Sequence, residues 1–160
     1  MSIYKGKNLK IEITGESHSK TLKGSIKGLS KFKIDYEKLN LFLERRKANN
    51  EIYSTSRIEE DRPIFFGVKN NIIKNKVSFI IENRNVNEKD YSYLYGIPRP
   101  SHADYAWHLK DGVLDFSGGG RFSGRMTLPL CVIGGICLQY LGTLNVKICS
   151  YIESVGSVKG

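Results

Sequence analysis

Residues 9–29 read LKIEITGESHSKTLKGSIKGL, and the spacing of their apolar side chains points to the fold class. Leu9, Ile11 and Ile13 alternate with charged neighbours, the period-two pattern of a half-buried strand. Gly15-Glu16-Ser17-His18-Ser19 breaks that pattern with small and polar residues. From Thr21 to Leu29 a second short strand follows, with Leu22 and Ile26 on one face and Gly24 and Gly28 weakening it.

Outward from this pair the period changes. Asp35 is placed as an N-cap, and Tyr36, Leu39, Phe42 and Leu43 form an apolar helical stripe ending near Arg46. Ile64 to Val68 and Val77 to Ile81 read as strands separated by a polar stretch at 69–76. After Pro98-Arg99-Pro100, Ser101 and Asp104 hold the first and fourth places of a capping box for a helix through Leu109. Leu128 to Leu141 is too long for a strand and reads as a buried helix with Pro129 in its first turn. Val146 to Ile152 reads as a final strand. The expected class is α+β with mostly antiparallel strands.

The 160 residues carry 25 Lys and Arg against 16 Asp and Glu, a formal charge of +9. Most of that excess lies early: residues 1–80 hold 17 basic and 9 acidic side chains. Such a surface suits nucleic acid, an anionic membrane or a small polyanionic ligand. A nucleic-acid surface needs basic residues interleaved with exposed aromatics, or a recognition helix. Tyr36 and Phe42 fall instead on an apolar stripe, so a basic nucleic-acid-binding module is the weaker alternative and no nucleic acid is expected. The apolar run Met126 to Leu138 is interrupted by Thr127, Pro129, Gly134 and Gly135, short of the ~20 residues of a membrane span. The N-terminal MSIYKGKNLKIEI has no apolar signal core. The expectation is a soluble, cytoplasmic chain with no membrane partner. Cys131, Cys137 and Cys149 lack CxxC spacing and are expected as buried free thiols. His18, His102 and His108 lack metal-ligand spacing, so no metal is expected.

Three loops carry chemistry. His18, between small residues just after a strand, is suited to proton transfer or to a surface or capping role. Arg45-Arg46-Lys47 at a helix C-terminus suits either the helix dipole or capture of phosphate and carboxylate. Gly118-Gly119-Gly120-Arg121-Phe122-Ser123-Gly124-Arg125 combines free backbone N–H groups, a hydroxyl and two guanidinium groups, the ingredients of a phosphate cradle. It is neither a Walker loop nor a dinucleotide fingerprint.

Together these segments resemble chorismate synthase. Gly15-Glu16-Ser17-His18, Arg45-Arg46, Arg99-Pro100-Ser101-His102-Ala103-Asp104-Tyr105 and Gly118 to Thr127 follow the order of the family patterns GESHG, RRRPG, RPGHADY and GGGRxSxRxT. The resemblance implies a β-α-β sandwich of that family's type, truncated here to a single partial domain over 1–160, since the family is about twice as long. It implies 1,4-elimination of phosphate from 5-enolpyruvylshikimate 3-phosphate to give chorismate, in aromatic amino acid biosynthesis. The implied cofactor is reduced FMN, with NADPH as a possible reductant, and the implied assembly is a homotetramer. His18 matches the proton donor to the departing phosphate, and His102 the histidine that manages a proton on the reduced flavin. Ser17, Arg45, Lys47 and Arg125 match substrate-binding positions. Arg46, Arg121, Phe122 and Ser123 match flavin or nucleotide positions. The alternative is an inactive remnant keeping flavin and anion affinity.

RRRPG reads Arg45-Arg46-Lys47-Ala48-Asn49 here, and other positions depart from the patterns too. Ser19 and Ser101 stand where the family has glycine, and Lys47 keeps the charge of an arginine without its fork. Ile52 occupies a usually basic place. The family's SGVxxGxTTGxPI segment begins here as Phe66-Gly67-Val68-Lys69-Asn70-Asn71 and lacks the TTG.

Overall fold

In the computed structural model, residues 2–47, 59–84, 96–112 and 119–160 are described. Their elements run β1 (Ser2–Lys5), β2 (Lys10–Thr14), β3 (Thr21–Lys27), β4 (Phe32–Lys33), α1 (Tyr36–Glu44), β5 (Pro63–Lys69), β6 (Ile72–Glu82), α2 (Asp104–Asp111), α3 (Thr127–Thr143), β7 (Ser154–Val155) and β8 (Val158–Lys159). Two single 3-10 turns, Gly120–Phe122 and Gly124–Met126, lead into α3.

The long strand β6 organises the sheet. Its apolar residues Ile73, Val77, Phe79 and Ile81 all point to one buried face. β3 pairs along one edge from Thr21↔Glu82 to Lys27↔Lys76, and β4 continues that edge with Phe32↔Ile73. β5 pairs along the opposite edge, from Pro63↔Ile81 to Lys69↔Ile72, with an irregularity between Phe66 and Val68. β2 lies outside β3 and β1 outside β2, every pairing being antiparallel. The expected antiparallel α+β class is what the chain adopts.

One face of the sheet is covered. Leu22, Ile26, Val77 and Phe79 meet Leu39 and Leu43 of α1 and Leu128, Val132, Ile133 and Ile136 of α3 in one cluster. The two helices approach closely because Gly135 has no side chain: a Cβ there would lie 2.5 Å from Leu39 Cδ1. Asp35 caps α1 by accepting from Lys38 N–H at 3.1 Å, as its position before the apolar stripe predicts. Gln139 of α3 fastens the same cap, accepting from Asp35 N–H at 2.8 Å and donating to Asp35 O at 2.9 Å.

Several expectations are corrected. The polar stretch 69–76 is not a long separator: Asn70 and Asn71, with φ of 51° and 61°, make a tight turn between β5 and β6. Asparagine tolerates that backbone region, which is why two of them suffice. The family's TTG positions become Ile73, Lys74 and Asn75. Ile73 is in the core, and Asn75 O accepts from Gly28 N–H and Leu29 N–H at 2.9 and 3.2 Å. Val146 to Ile152 forms no strand, because a strand needs a neighbour and none pairs with it among the described residues. Those residues stay exposed, and the hairpin β7–β8 follows them. Cys131 and Cys137 are only half-buried and Cys149 is exposed, though all three are free thiols. Burial pushes the Cys137 thiol up from its ordinary pKa. The stretch Gly124–Thr143 is long and apolar enough to cross a membrane, contrary to the reading of the interrupted run. Its buried side seats on the sheet and α1 in the manner of a core helix, while Leu130 on its far side is exposed.

Candidate active site

At the end of the sheet where β3 begins and β6 ends, the loop between β2 and β3 folds over the turn before α3. Ser17, buried, donates its N–H to Gly120 O at 3.1 Å. Ser19 takes its glycine-like place without a left-handed backbone. Its hydroxyl accepts from Glu16 N–H at 3.0 Å and lies 2.9 Å from Glu16 O and Thr21 O, closing the loop around half-buried His18. Asn83, just past β6, donates its side-chain amide to Ser19 O at 2.7 Å and its N–H to Lys20 O at 3.0 Å.

A chain of charges continues from Asn83. Its Oδ1 accepts from Arg125 Nε and Nη2 at 3.0 and 2.9 Å. Arg125 Nη1 donates to Asp61 Oδ1, and Asp61 Oδ2 accepts from Arg46 Nη1 at 3.1 Å. Arg46 Nη2 then reaches Thr127 Oγ1 at 3.1 Å. The side chains of Asp61 and Arg125 are 5% and 8% exposed, that of Arg46 23%.

Beside this chain stands an aromatic and histidine cluster. His102 Nδ1 lies 2.5 Å from Asp104 Oδ1. A carboxylate only accepts, so this bond calls for the ring proton on Nδ1, and Arg99 Nη2 lies beside the ring, 3.1 Å from Nδ1 and 3.3 Å from Nε2. Arg99 also clamps Asp104 through Nε and Nη2 at 2.8 and 3.1 Å. The expected capping box does not form. Ala103, which has no polar side chain, is the N-cap of α2, and the Asp104 carboxylate is held by Arg99 and His102. Phe122 meets the rings of His102 and Trp107 at 6.2 and 5.6 Å, and the Arg121 guanidinium lies 4.5 Å above the Trp107 ring.

Burial pushes the Asp104 carboxyl up, but the hydrogen bonds from Arg99 and His102 outweigh it and hold the carboxyl below its ordinary range. A carboxyl depressed on folding stabilises the fold above its unfolded value, about 3.9, and the contribution is lost as pH falls through the lower folded value. The urea midpoint of the chain is therefore expected to drop between pH 5 and the range below 4 by more than that of Asp104→Asn. Equal drops would assign the acid sensitivity to other groups.

Of the residues the sequence singled out, Ser17, Arg46, Arg121, Phe122, Ser123 and Arg125 converge on the segment from Gly119 to Thr127, with His18 beside Ser17 and His102 against Phe122. Ser123 Oγ is engaged in accepting from Arg125 N–H at 3.2 Å. Gly119 permits this fold, since a Cβ there would lie 2.5 Å from Ser123 Cβ. Arg45 is not brought in: it is exposed, with its guanidinium 5.9 Å from the Phe42 ring. Lys47 pairs with Glu44 at 2.6 Å and lines a polar cleft of about 550 Å³ shared with Asp61 and Arg62. Ile52 lies outside the described residues. Asp61, Asn83 and Trp107 escaped the sequence reading.

A family profile described as chorismate synthase matches residues 9–160. The chorismate synthase of Methanococcus aeolicus is 37% identical over 97% of this chain, which covers 43% of that protein. The chorismate synthase of Plasmodium falciparum is 35% identical over 99% of this chain, covering 31% of that protein. The chain thus spans less than half the length of these relatives. A crystal structure of chorismate synthase superposes with a TM-score of 0.60 and 20% identity over 87% of this chain and 35% of the solved one, a likeness of fold.

Proposed function

The chain belongs to the chorismate synthase family, and on that premise we propose that it carries the anion-binding and proton-handling wall for eliminating phosphate from 5-enolpyruvylshikimate 3-phosphate to give chorismate. The observation that supports this is a convergence. Ser17 bonds Gly120, Arg46 bonds Thr127 and His102 meets Phe122, so three distant motifs touch one turn. A substrate with one phosphate and two carboxylates calls for guanidinium groups held in place. Arg46 and Arg125 supply them. His18 holds the proton that eases phosphate departure, and His102, tied to Asp104 through Nδ1, holds or takes up a proton at the aromatic edge.

The family's reduced FMN fits this edge. A flat ring bearing a phosphate needs an aromatic plane and a cation. Phe122, 42% exposed, and Trp107 offer the plane, and Arg121 has a buried Nε with no hydrogen-bond partner among the described residues. Gly119 and Gly120 keep the backbone bare beside them. When bound, reduced FMN would lend electron density to the elimination and recover it, the overall reaction having no net redox change. The whole protein is proposed to work as a cytoplasmic homotetramer with NADPH as the source of flavin reduction.

The test mixes this chain, anaerobically, with reduced FMN, substrate and a separately expressed chain carrying the remaining length of the Methanococcus aeolicus relative. Chorismate is expected, and His18→Ala should lower its rate at least a hundredfold, the scale of general-acid catalysis. Flavin binding without any chorismate would replace this reading with the non-catalytic one.

A further inference from the structure

Asp61 belongs to no motif, yet it sits between two arginines that do. We propose that Asp61 is the positioning residue of the anion site: its single carboxylate sets Arg46 and Arg125 side by side, so that they meet a phosphate as one rigid fork. The inference rests on the anion-binding role proposed above for these arginines.

Three features carry it. Asp61 divides its two oxygens, Oδ1 to Arg125 and Oδ2 to Arg46, so that one buried carboxylate spaces two guanidinium groups. Its backbone has φ 54°, a left-handed conformation that costs a side-chain-bearing residue energy and is kept only where the surroundings demand that direction. Each arginine also has a second tether, Arg46 on Thr127 and Arg125 on Asn83, which fixes the plane as well as the position of its fork. An arginine has five N–H donors. Among the described residues two are engaged in Arg46 and three in Arg125, so on both there are donors that no described residue takes.

Charge and position predict opposite signs for one substitution. Asp61→Asn removes a negative charge from an anion site, and by Coulomb attraction alone it should tighten phosphate binding. If Asp61 positions the arginines, the same change loosens binding. Asparagine adopts the left-handed backbone about as readily as aspartate, so the substitution isolates the carboxylate.

The experiment titrates the chain with inorganic phosphate at low ionic strength and records the guanidinium 15N–1H spectrum. The expected result is about tenfold weaker phosphate binding in Asp61→Asn, no further loss on adding Arg46→Met, and loss of two slowly rotating guanidinium signals seen in the parent. Affinity equal to or tighter than the parent's overturns the inference, as does a lowered melting temperature with affinity unchanged. If the parent binds no phosphate, the anion-site reading fails for this chain. The spectrum still decides Asp61's part, since signals untouched by Asp61→Asn deny it the positioning role. Should Asp61→Asn not fold, Arg46→Lys carries the test. It keeps the charge but cannot span Asp61 and Thr127, and undiminished affinity in it overturns the inference.

Discussion

Gly24→Val is expected to destabilise the chain by about 3 kcal/mol or more, enough to remove most of a small domain's stability. Gly24 faces Phe79 directly across β3 and β6, and the aromatic ring lies over the place a side chain would fill. A Cβ at Gly24 would stand 2.3 Å from Phe79 Cζ and 2.8 Å from Cε1. The ring cannot swing aside, because it is buried and tilted against Phe65 at 5.8 Å, which in turn packs on Tyr36 at 5.4 Å. Valine must therefore push Phe79 out of its pocket or part the two central strands. Urea denaturation checks this, with Ser25→Val on the opposite face as the control, expected to shift stability by less than about 1 kcal/mol. Adding Phe79→Ala to Gly24→Val should recover part of the loss, since the clash then has no second partner. If Gly24→Val unfolds at the parent's midpoint, the ring does not lie where the register puts it.

The same pairing shows what the sequence could and could not convey. Leu22 and Ile26 declared their face by spacing, and Asp35 with Leu39 and Leu43 declared α1, because burial of alternate or every third and fourth residue is a local pattern. The full length of β6 was hidden by Lys74, Asn75 and Lys76: the two lysines lie on the open face, while Asn75 falls on the face of Ile73 and Val77 but is exposed there. Val146 to Ile152 misled in the opposite direction: its alternation is sound, but strand structure is a property of a pair. Ser101 and Asp104 read as a capping box because local spacing said so, but the cap is Ala103 and the Asp104 carboxylate is held by Arg99 and His102. The site was legible where four motifs name residues in order. Asp61 and Asn83 were not, since each is a single polar residue beside a strand. Their meaning arises only when the fold sets residues 61, 83 and 125 against one another.

Arg125→Met is expected to cost about 3–5 kcal/mol, the cost of removing one partner from a buried charge pair. The sequence motif places Arg125 against substrate, but most of its guanidinium is already engaged. Nε and Nη2 donate to Asn83 Oδ1 and Nη1 to Asp61, in a side chain only 8% exposed. Methionine fills much of the same volume, so the loss would come from the polar groups left behind: among the described residues Asp61 keeps Arg46 alone, and Asn83 Oδ1 is buried without its Arg125 donors. Arg125→Lys should fall between, because a single ammonium cannot reach both Asn83 and Asp61 in the geometry of a planar fork. Arg45→Met is the contrasting case. Its exposed guanidinium over the Phe42 ring is worth about 1 kcal/mol or less. Urea midpoints of the three variants, each followed by phosphate titration at a temperature where it is folded, separate the roles. An Arg125→Met chain as stable as the parent would return Arg125 to a purely ligand-facing role. A destabilised one would mean that lost activity in any Arg125 variant reports first on the strut joining the His18 loop to Asp61, and only then on contact with substrate.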